Sequence, residues 1–142
     1  MNKPVTYNLF VYGSLRKGFQ SPVYEYISNY FDFVAEAKVR GLMVDMGDYP
    51  AAIPGNDGHF IVGELYTIKH PHEFGWAFGQ LDDYEGVNVE VGETQLYRRE
   101  LTEVITDKGN QPAWIYWYNQ DVSGKPIVES GDILQYIAEK KQ

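Results

Sequence analysis

The chain has 142 residues, no cysteine, and 12 Lys and Arg against 20 Asp and Glu, for a formal charge of −8. That length predicts one domain over residues 1–142 with a core large enough to stand without disulfides or a structural metal. The acidic balance argues against nucleic acid as a partner, because phosphate binding draws on clustered cations and the basic pairs are only Arg16-Lys17, Arg98-Arg99 and Lys140-Lys141. Without thiols there are no iron–sulfur clusters, thiolate zinc sites or cysteine nucleophiles. Uncharged stretches such as Tyr7 to Leu15 and Gln111 to Gln120 are far too short to cross a bilayer, so no membrane partner is expected. The start, Met1-Asn2-Lys3-Pro4, has no signal-peptide pattern, and a cytoplasmic protein is expected.

In chain order, Tyr7 to Tyr12 is aromatic and β-branched up to Gly13, which predicts a buried first strand. Ser21-Pro22 is a helix start, followed by Val23, Tyr26, Ile27 and Tyr30 on one helical face. From Phe33 the period becomes two: Phe33, Ala35, Ala37, Val39, Gly41 and Met43 are expected on one strand face, with Glu36, Lys38 and Arg40 on the other. Turn chemistry at Gly47 to Pro50 and Pro54 to Gly58 brackets a short Ala51-Ala52-Ile53 strand, and His59 to Ile68 is the next strand. Pro71 opens a helix that should bury Phe74, Phe78 and Leu81 and close at Gly86. Strands are expected at Gln95 to Thr106 and Ala113 to Tyr118 around a hairpin turn at Asp107 to Asn110, with a last helix over Asp132 to Lys140. Strands outnumber helices and the late ones form a hairpin. The expected class is α+β, a small mixed and mainly antiparallel barrel with a few packed helices.

Several motifs fail on inspection. Gly13 to Gly18 has the glycine spacing of a phosphate loop, but Phe19-Gln20 stand where the Lys and hydroxyl residue belong. Ser14 lacks the following glycine of a nucleophile elbow. His70 and His72 are two residues apart, unlike the pair of a zinc helix, and read as solvated. Asp82, Asp83 and Glu85 offer too few converging oxygens for calcium and read as a solvated acidic turn, so no metal is expected.

Two segments remain, Tyr12-Gly13-Ser14-Leu15-Arg16-Lys17-Gly18 and Leu81-Asp82-Asp83-Tyr84-Glu85-Gly86. With Gly47-Asp48-Tyr49-Pro50-Ala51, Val62-Gly63-Glu64-Leu65-Tyr66, Tyr97-Arg98-Arg99 and Ala113-Trp114-Ile115-Tyr116 between and after them, the chain resembles the γ-glutamyl cyclotransferase-like superfamily. The resemblance is to the branch of γ-glutamylamine cyclotransferase and the plant avirulence-induced proteins, and it runs in order over nearly the whole sequence. It implies a small mixed barrel with outer helices, Glu85 as the catalytic carboxylate, and the loop Tyr12, Gly13, Ser14 and Leu15 cradling a small γ-glutamyl substrate through backbone amides. Tyr97 is a candidate pocket wall, and Tyr97 with Arg99 on one strand face is a candidate stacking pair.

The implied reaction is metal-independent and needs no cofactor. The α-amine of a γ-glutamyl amine attacks its own γ-carbonyl, closes the five-membered ring of 5-oxoproline and expels the free amine. One base must move a proton from the α-ammonium to the leaving nitrogen, and donors must meet the oxyanion. A Glu at a helix C-terminus opposes the helix dipole, which makes Glu85 an unfavourable choice for stability alone. For Glu85 to serve, its pKa must rise toward neutrality, with Tyr12 and Tyr84 as candidates for the desolvating neighbours. The loop and Glu85 should therefore meet, and consecutive loop amides should form a nest for an anion. A non-catalytic metabolite-binding module on the same fold, and γ-glutamyl transfer or hydrolysis, are the alternative functions.

Overall fold

The computed structural model describes residues 5–13, 16, 22–47, 49–55, 58–87 and 95–140. In order these form β1 (Asn8–Val11), α1 (Pro22–Tyr30), β2 (Phe31–Arg40), β3 (Leu42–Asp45), β4 (Pro50–Ile53) and β5 (Phe60–Ile68). A 3-10 turn at Pro71–Glu73 then leads into α2 (Phe74–Glu85), followed by β6 (Tyr97–Thr106), β7 (Gly109–Tyr118) and α3 (Ile133–Lys140). Five strands close into a barrel in the order β1-β5-β2-β6-β7, while β3 and β4 form a separate two-stranded ribbon. Neighbouring barrel strands run antiparallel, except that β1 closes on β7 in parallel, Leu9 beside Trp114. The fold is thus the small mixed, mainly antiparallel barrel with packed helices that the sequence predicts.

Strand alternation divides the apolar residues into two layers. Phe10 and Tyr12, Ile61 and Leu65, and Ala113, Ile115 and Trp117 pack in one cluster with Val39 and Val104. Their sequence neighbours Leu9 and Val11, Tyr66 and Ile68, and Tyr116 pack in the second, beneath Ile27 of α1 and Ala77, Phe78 and Leu81 of α2. Each central strand is therefore buried on both faces, one toward the barrel axis and one toward the helices.

Three sequence expectations are corrected. The single face running from Phe33 to Met43 is broken by a bulge between Phe33 and Ala35, which admits one extra residue. The bulge switches parity: Phe31 is 2% exposed in the helix-covered layer, Ala37 and Val39 lie in the barrel cluster, and Phe33 is left 56% exposed with its ring against Tyr66. That face also does not continue to Met43 in one strand, because β2 stops at Arg40 and Leu42–Asp45 belongs to the ribbon. Finally, β7 begins at Gly109, not Ala113: the hairpin loop is the two residues Asp107-Lys108, with Gly109 at φ 115° and Thr106 opposite Gly109.

Gly63 is dictated by close packing. A Cβ there would stand 2.1 Å from the Val11 carbonyl oxygen and 2.6 Å from the Phe10 ring, both on the neighbouring strand. Backbone cannot yield as a side chain can. Gly63→Ala is expected to destabilise the protein by about 2–3 kcal/mol, as overpacked core positions do, read as a lower urea midpoint with an unchanged m-value; an unchanged midpoint would refute the close approach.

Candidate active site

The site is built where the C-terminus of α2 meets the barrel wall. Asp82, one helical turn before Glu85, is only 8% exposed. Its Oδ1 accepts from Arg99 Nε at 2.8 Å and from the Tyr116 hydroxyl at 2.7 Å, and its Oδ2 accepts from Arg99 Nη2 at 3.2 Å. Arg99 stands on β6 and Tyr116 on β7, so one carboxylate fastens the helix to both strands of the hairpin. The guanidinium also lies over the rings of Trp114, at 4.6 Å, and Phe78, at 5.1 Å. Burial, above all, together with the bond to Asp82, pushes the Tyr116 phenol far above its ordinary pKa and keeps it a donor.

The helix then ends sharply. Gly86 takes the left-handed conformation at φ 72°, ψ 35°, and the Val87 amide reaches back to the Asp82 carbonyl at 2.9 Å, satisfying a carbonyl of the last turn. The Gly86 carbonyl accepts the Leu96 amide at 3.1 Å, tying the chain to the approach to β6. Glu85 is held between these two attachments.

Glu85 is half-buried, and loss of water pushes its pKa from the ordinary carboxylate value up to about 7. Three phenols share its neighbourhood. Tyr12, raised mainly by burial, also feels the charges of Tyr97 and Glu85; Tyr97 is raised by burial and then by Glu85; and the Glu85 charge adds a smaller push on Tyr116. The ends of β1, β6 and β7 therefore converge on this carboxylate. Tyr12 lies at the end of β1, 7% exposed, and its hydroxyl donates to the Tyr116 carbonyl. Among the described residues no hydrogen bond reaches Glu85 or the Tyr97 hydroxyl, so two polar groups face the site uncommitted. Tyr118, T-shaped against Tyr97 with ring centroids 5.3 Å apart, extends the aromatic wall to Tyr49, whose hydroxyl is 3.0 Å from that of Tyr118.

Of the residues singled out in the sequence, the structure brings Tyr12, Tyr97 and Glu85 together. Gly13 directly follows Tyr12, and its carbonyl accepts the Arg16 amide at 2.9 Å. Ser14 and Leu15, and with them most of the expected anion nest, lie outside the described residues. Tyr84 does not serve as a desolvating wall, being 54% exposed. The acidic turn is not uniformly solvated either: Asp83 is exposed, but Asp82 is buried in its ion pair. Tyr97 and Arg99 do not stack on each other, because Arg99 turns to Asp82 and Trp114 while Tyr97 meets Tyr118. Among the described residues no three His, Asp or Glu side chains gather as a cation site. Two clefts of about 420 and 360 Å³ along β6 share Leu101, Thr102 and Glu103 and are lined by none of the site residues.

Sequence reasoning missed Asp82 as a partnered residue. The available signal was that Asp82 lies one turn after Phe78 and one residue after Leu81, on the buried stripe of the helix.

Residues 9–135 match the family described as gamma-glutamyl cyclotransferase, AIG2-like, and the chain belongs to that family. A gamma-glutamylcyclotransferase family protein of Escherichia coli K12, YtfP, is 32% identical over 133 residues, covering 89% of this chain and 95% of that one. The gamma-L-glutamyl-butirosin B gamma-glutamyl cyclotransferase of Niallia circulans is 31% identical over 116 residues, covering 80% of this chain and 68% of its own length. The solution structure of ytfP from Escherichia coli superposes with a TM-score of 0.60 at 29% identity, over 92% of this chain and 98% of that one.

Two stability measurements test this geometry. Removing the anchor in Asp82→Ala leaves Arg99 and Tyr116 without their acceptor and is expected to cost about 3 kcal/mol, as breaking a buried ion pair does, seen as a lower urea midpoint. For Glu85 the folded pKa lies above the unfolded one, so the native state binds the extra proton. Wild-type stability must then fall, relative to Glu85→Gln, as pH rises from about 4.5 to about 7, by up to about 3 kcal/mol, and the gap must stay constant above that range. A gap independent of pH would mean that the carboxylate is not desolvated.

Proposed function

We propose that this protein cyclises a γ-glutamyl amine or γ-glutamyl peptide to 5-oxoproline and releases the free amine, with Glu85 as general base and then general acid. The observation that carries the reading is Glu85 itself: a carboxylate poised at about 7, without a hydrogen-bond partner among the described residues, beside the end of the strand that leads into the glycine-bearing loop. A carboxylate near neutrality is matched to an α-ammonium, whose pKa at peptide termini is about 7.7–8.0, far better than one near 4.3.

Glu85 takes a proton from the substrate's α-ammonium, the freed amine attacks the γ-carbonyl, and the oxyanion forms at the turn between Gly13 and Arg16, where Gly13, Ser14 and Leu15 are the candidate donors. Protonated Glu85 then gives its proton to the leaving nitrogen as the C–N bond breaks, and the regenerated carboxylate takes the second proton from the ring nitrogen and passes it to the released amine, so ring closure and amine release balance without a protein nucleophile, metal or cofactor. Tyr12 and Tyr97 form the wall that keeps water from the carboxylate. Holding amine and carbonyl in contact supplies further acceleration, because the entropy of the encounter is already lost on binding. The family relationship supports a γ-glutamyl substrate, and the Niallia relative's name gives gamma-L-glutamyl-butirosin B as its own.

A panel of γ-glutamyl amines and dipeptides with 5-oxoproline detection tests the reaction. Release of glutamate, or formation of a new amide, would assign hydrolysis or transfer instead; binding of 5-oxoproline without turnover would leave a binding module. In an active protein, Glu85→Gln is expected to lose at least about a hundredfold in kcat, within the range for removal of a general base, while still binding 5-oxoproline. Glu85→Asp should lose most activity as well, its carboxylate being withdrawn from reach.

The reactive form is the ionised one. Accordingly kcat/KM should climb as pH rises through about 7. An acid limb near 4.5 would show that the base is an ordinary, solvated carboxylate.

A further inference from the structure

Arg16 is 5% exposed, unusual for an arginine in a loop. Its Nη1 donates to Asp132 Oδ1 at 3.0 Å, and its Nε lies 3.4 Å from Glu64 Oε2. Each acceptor is itself committed. Glu64 on β5, 6% exposed, takes the Tyr66 hydroxyl at 2.9 Å on its other oxygen. Asp132 caps α3, accepting the Leu134 amide at 3.1 Å and the Gln135 amide at 3.3 Å on the oxygen that meets Arg16. The Arg16 backbone amide meanwhile closes a turn on the Gly13 carbonyl at 2.9 Å.

One residue thus ties three segments distant in sequence: the turn after β1, the middle of β5 and the start of α3. From this geometry we infer that Arg16 is a positioning residue, fixing the turn from Gly13 to Arg16 against Glu64 and Asp132 so that Gly13 keeps its place directly after Tyr12, whose phenol feels the Glu85 charge; its effect on turnover rests on the function proposed above.

The chemistry of the side chain fits this role. A guanidinium offers donors in a rigid planar fork and serves two carboxylates at a defined angle, which an ammonium on a flexible stem does not. Net stability is a weak reason to keep such a cluster, since an apolar substitute of similar size often does as well as a buried ion pair. A fixed geometry is what the fork adds. Arg16 touches no reacting atom in this scheme and acts through the turn it closes.

The test separates position from stability. In Arg16→Met combined with Glu64→Gln, the buried position 64 carries no unpaired charge and the half-buried Asp132 keeps its two amide donors from α3, so the melting temperature should stay near wild type while the clamp is lost. Hydrogen exchange at the residue 16 amide, which needs no substrate, should then accelerate at least tenfold. With a γ-glutamyl substrate that the wild type turns over, kcat should fall about a hundredfold, the loss typical of reacting groups displaced by about 1 Å, with KM changed much less, because donors to the oxyanion act in the transition state. Arg16→Lys retains the charge but reaches one carboxylate, and should be intermediate in both exchange and kcat; it decides the question if the double variant does not fold. Wild-type exchange at residue 16, or wild-type kcat, in either variant overturns the inference. Should the wild type turn over no γ-glutamyl compound, the function proposed above fails, and the exchange arm alone decides whether Arg16 holds the turn.

Discussion

The geometry of the site depends on the carboxylate of Asp82. Helix α2 crosses the outside of the barrel with Phe78 and Leu81 buried, but apolar contact is non-directional and leaves a helix free to slide and roll by fractions of a turn. The bidentate bond from Arg99 and the bond from Tyr116 remove that freedom, because two donors on neighbouring strands meet one carboxylate from fixed directions. Glu85, three residues later, inherits the precision. An acidic residue held by Arg99 and Tyr116 thereby positions a second one, Glu85, whose pKa burial raises to about 7.

The barrel supplies the second constraint. Its strands carry apolar residues on both faces, one set toward the axis and one toward α1 and α2. Tyr12 belongs to the inner set and Tyr116 to the outer, yet both approach Glu85, since the site sits at the rim where the layers meet. The hydrogen bond from the Tyr12 hydroxyl to the Tyr116 carbonyl joins the layers at that point. The C-terminal segment braces the same rim from another side. Asp132 receives Arg16 at the start of α3, while Lys140 and Tyr136 farther along that helix both donate to Asp45, at 3.0 and 2.8 Å; Lys140, then the Gly47 amide, then Tyr136 hold its carboxyl down at about 2.

Desolvation of Glu85 opposes stability. A carboxylate whose pKa is raised by burial weakens the fold at neutral pH compared with an uncharged isostere, and this unfavourable term is tolerable only where the surrounding structure is over-determined. The Asp82 ion pair, the left-handed cap at Gly86 and the Leu96 amide bond provide that excess within a few residues. Tight local anchoring and a raised carboxylate pKa occur together here: the group is kept from water and, among the described residues, accepts no hydrogen bond.

Much of this was legible in the amino-acid sequence. Period-two patterns located most of the strands, Gly86 closed the long helix, and Tyr12 and Glu85, which the structure brings together, were both singled out, because local backbone preferences and turn chemistry act over a few residues. Three features were not legible, each for a reason of tertiary contact. The bulge after Phe33 depends on register against β5 and leaves no local mark, so Phe33 read as core. Asp82 and Asp83 are chemically identical in sequence, and only the placement of Arg99 and Tyr116 makes one buried and the other exposed. Arg16 read as one of a few cations, since its partners Glu64 and Asp132 stand 48 and 116 residues away. The sequence by itself determined the elements, their order and the chemical types available; which charges are paired, and therefore which carboxylate remains poised to take a proton, was decided by the closure of the barrel, because desolvation and charge pairing are properties of neighbours in space.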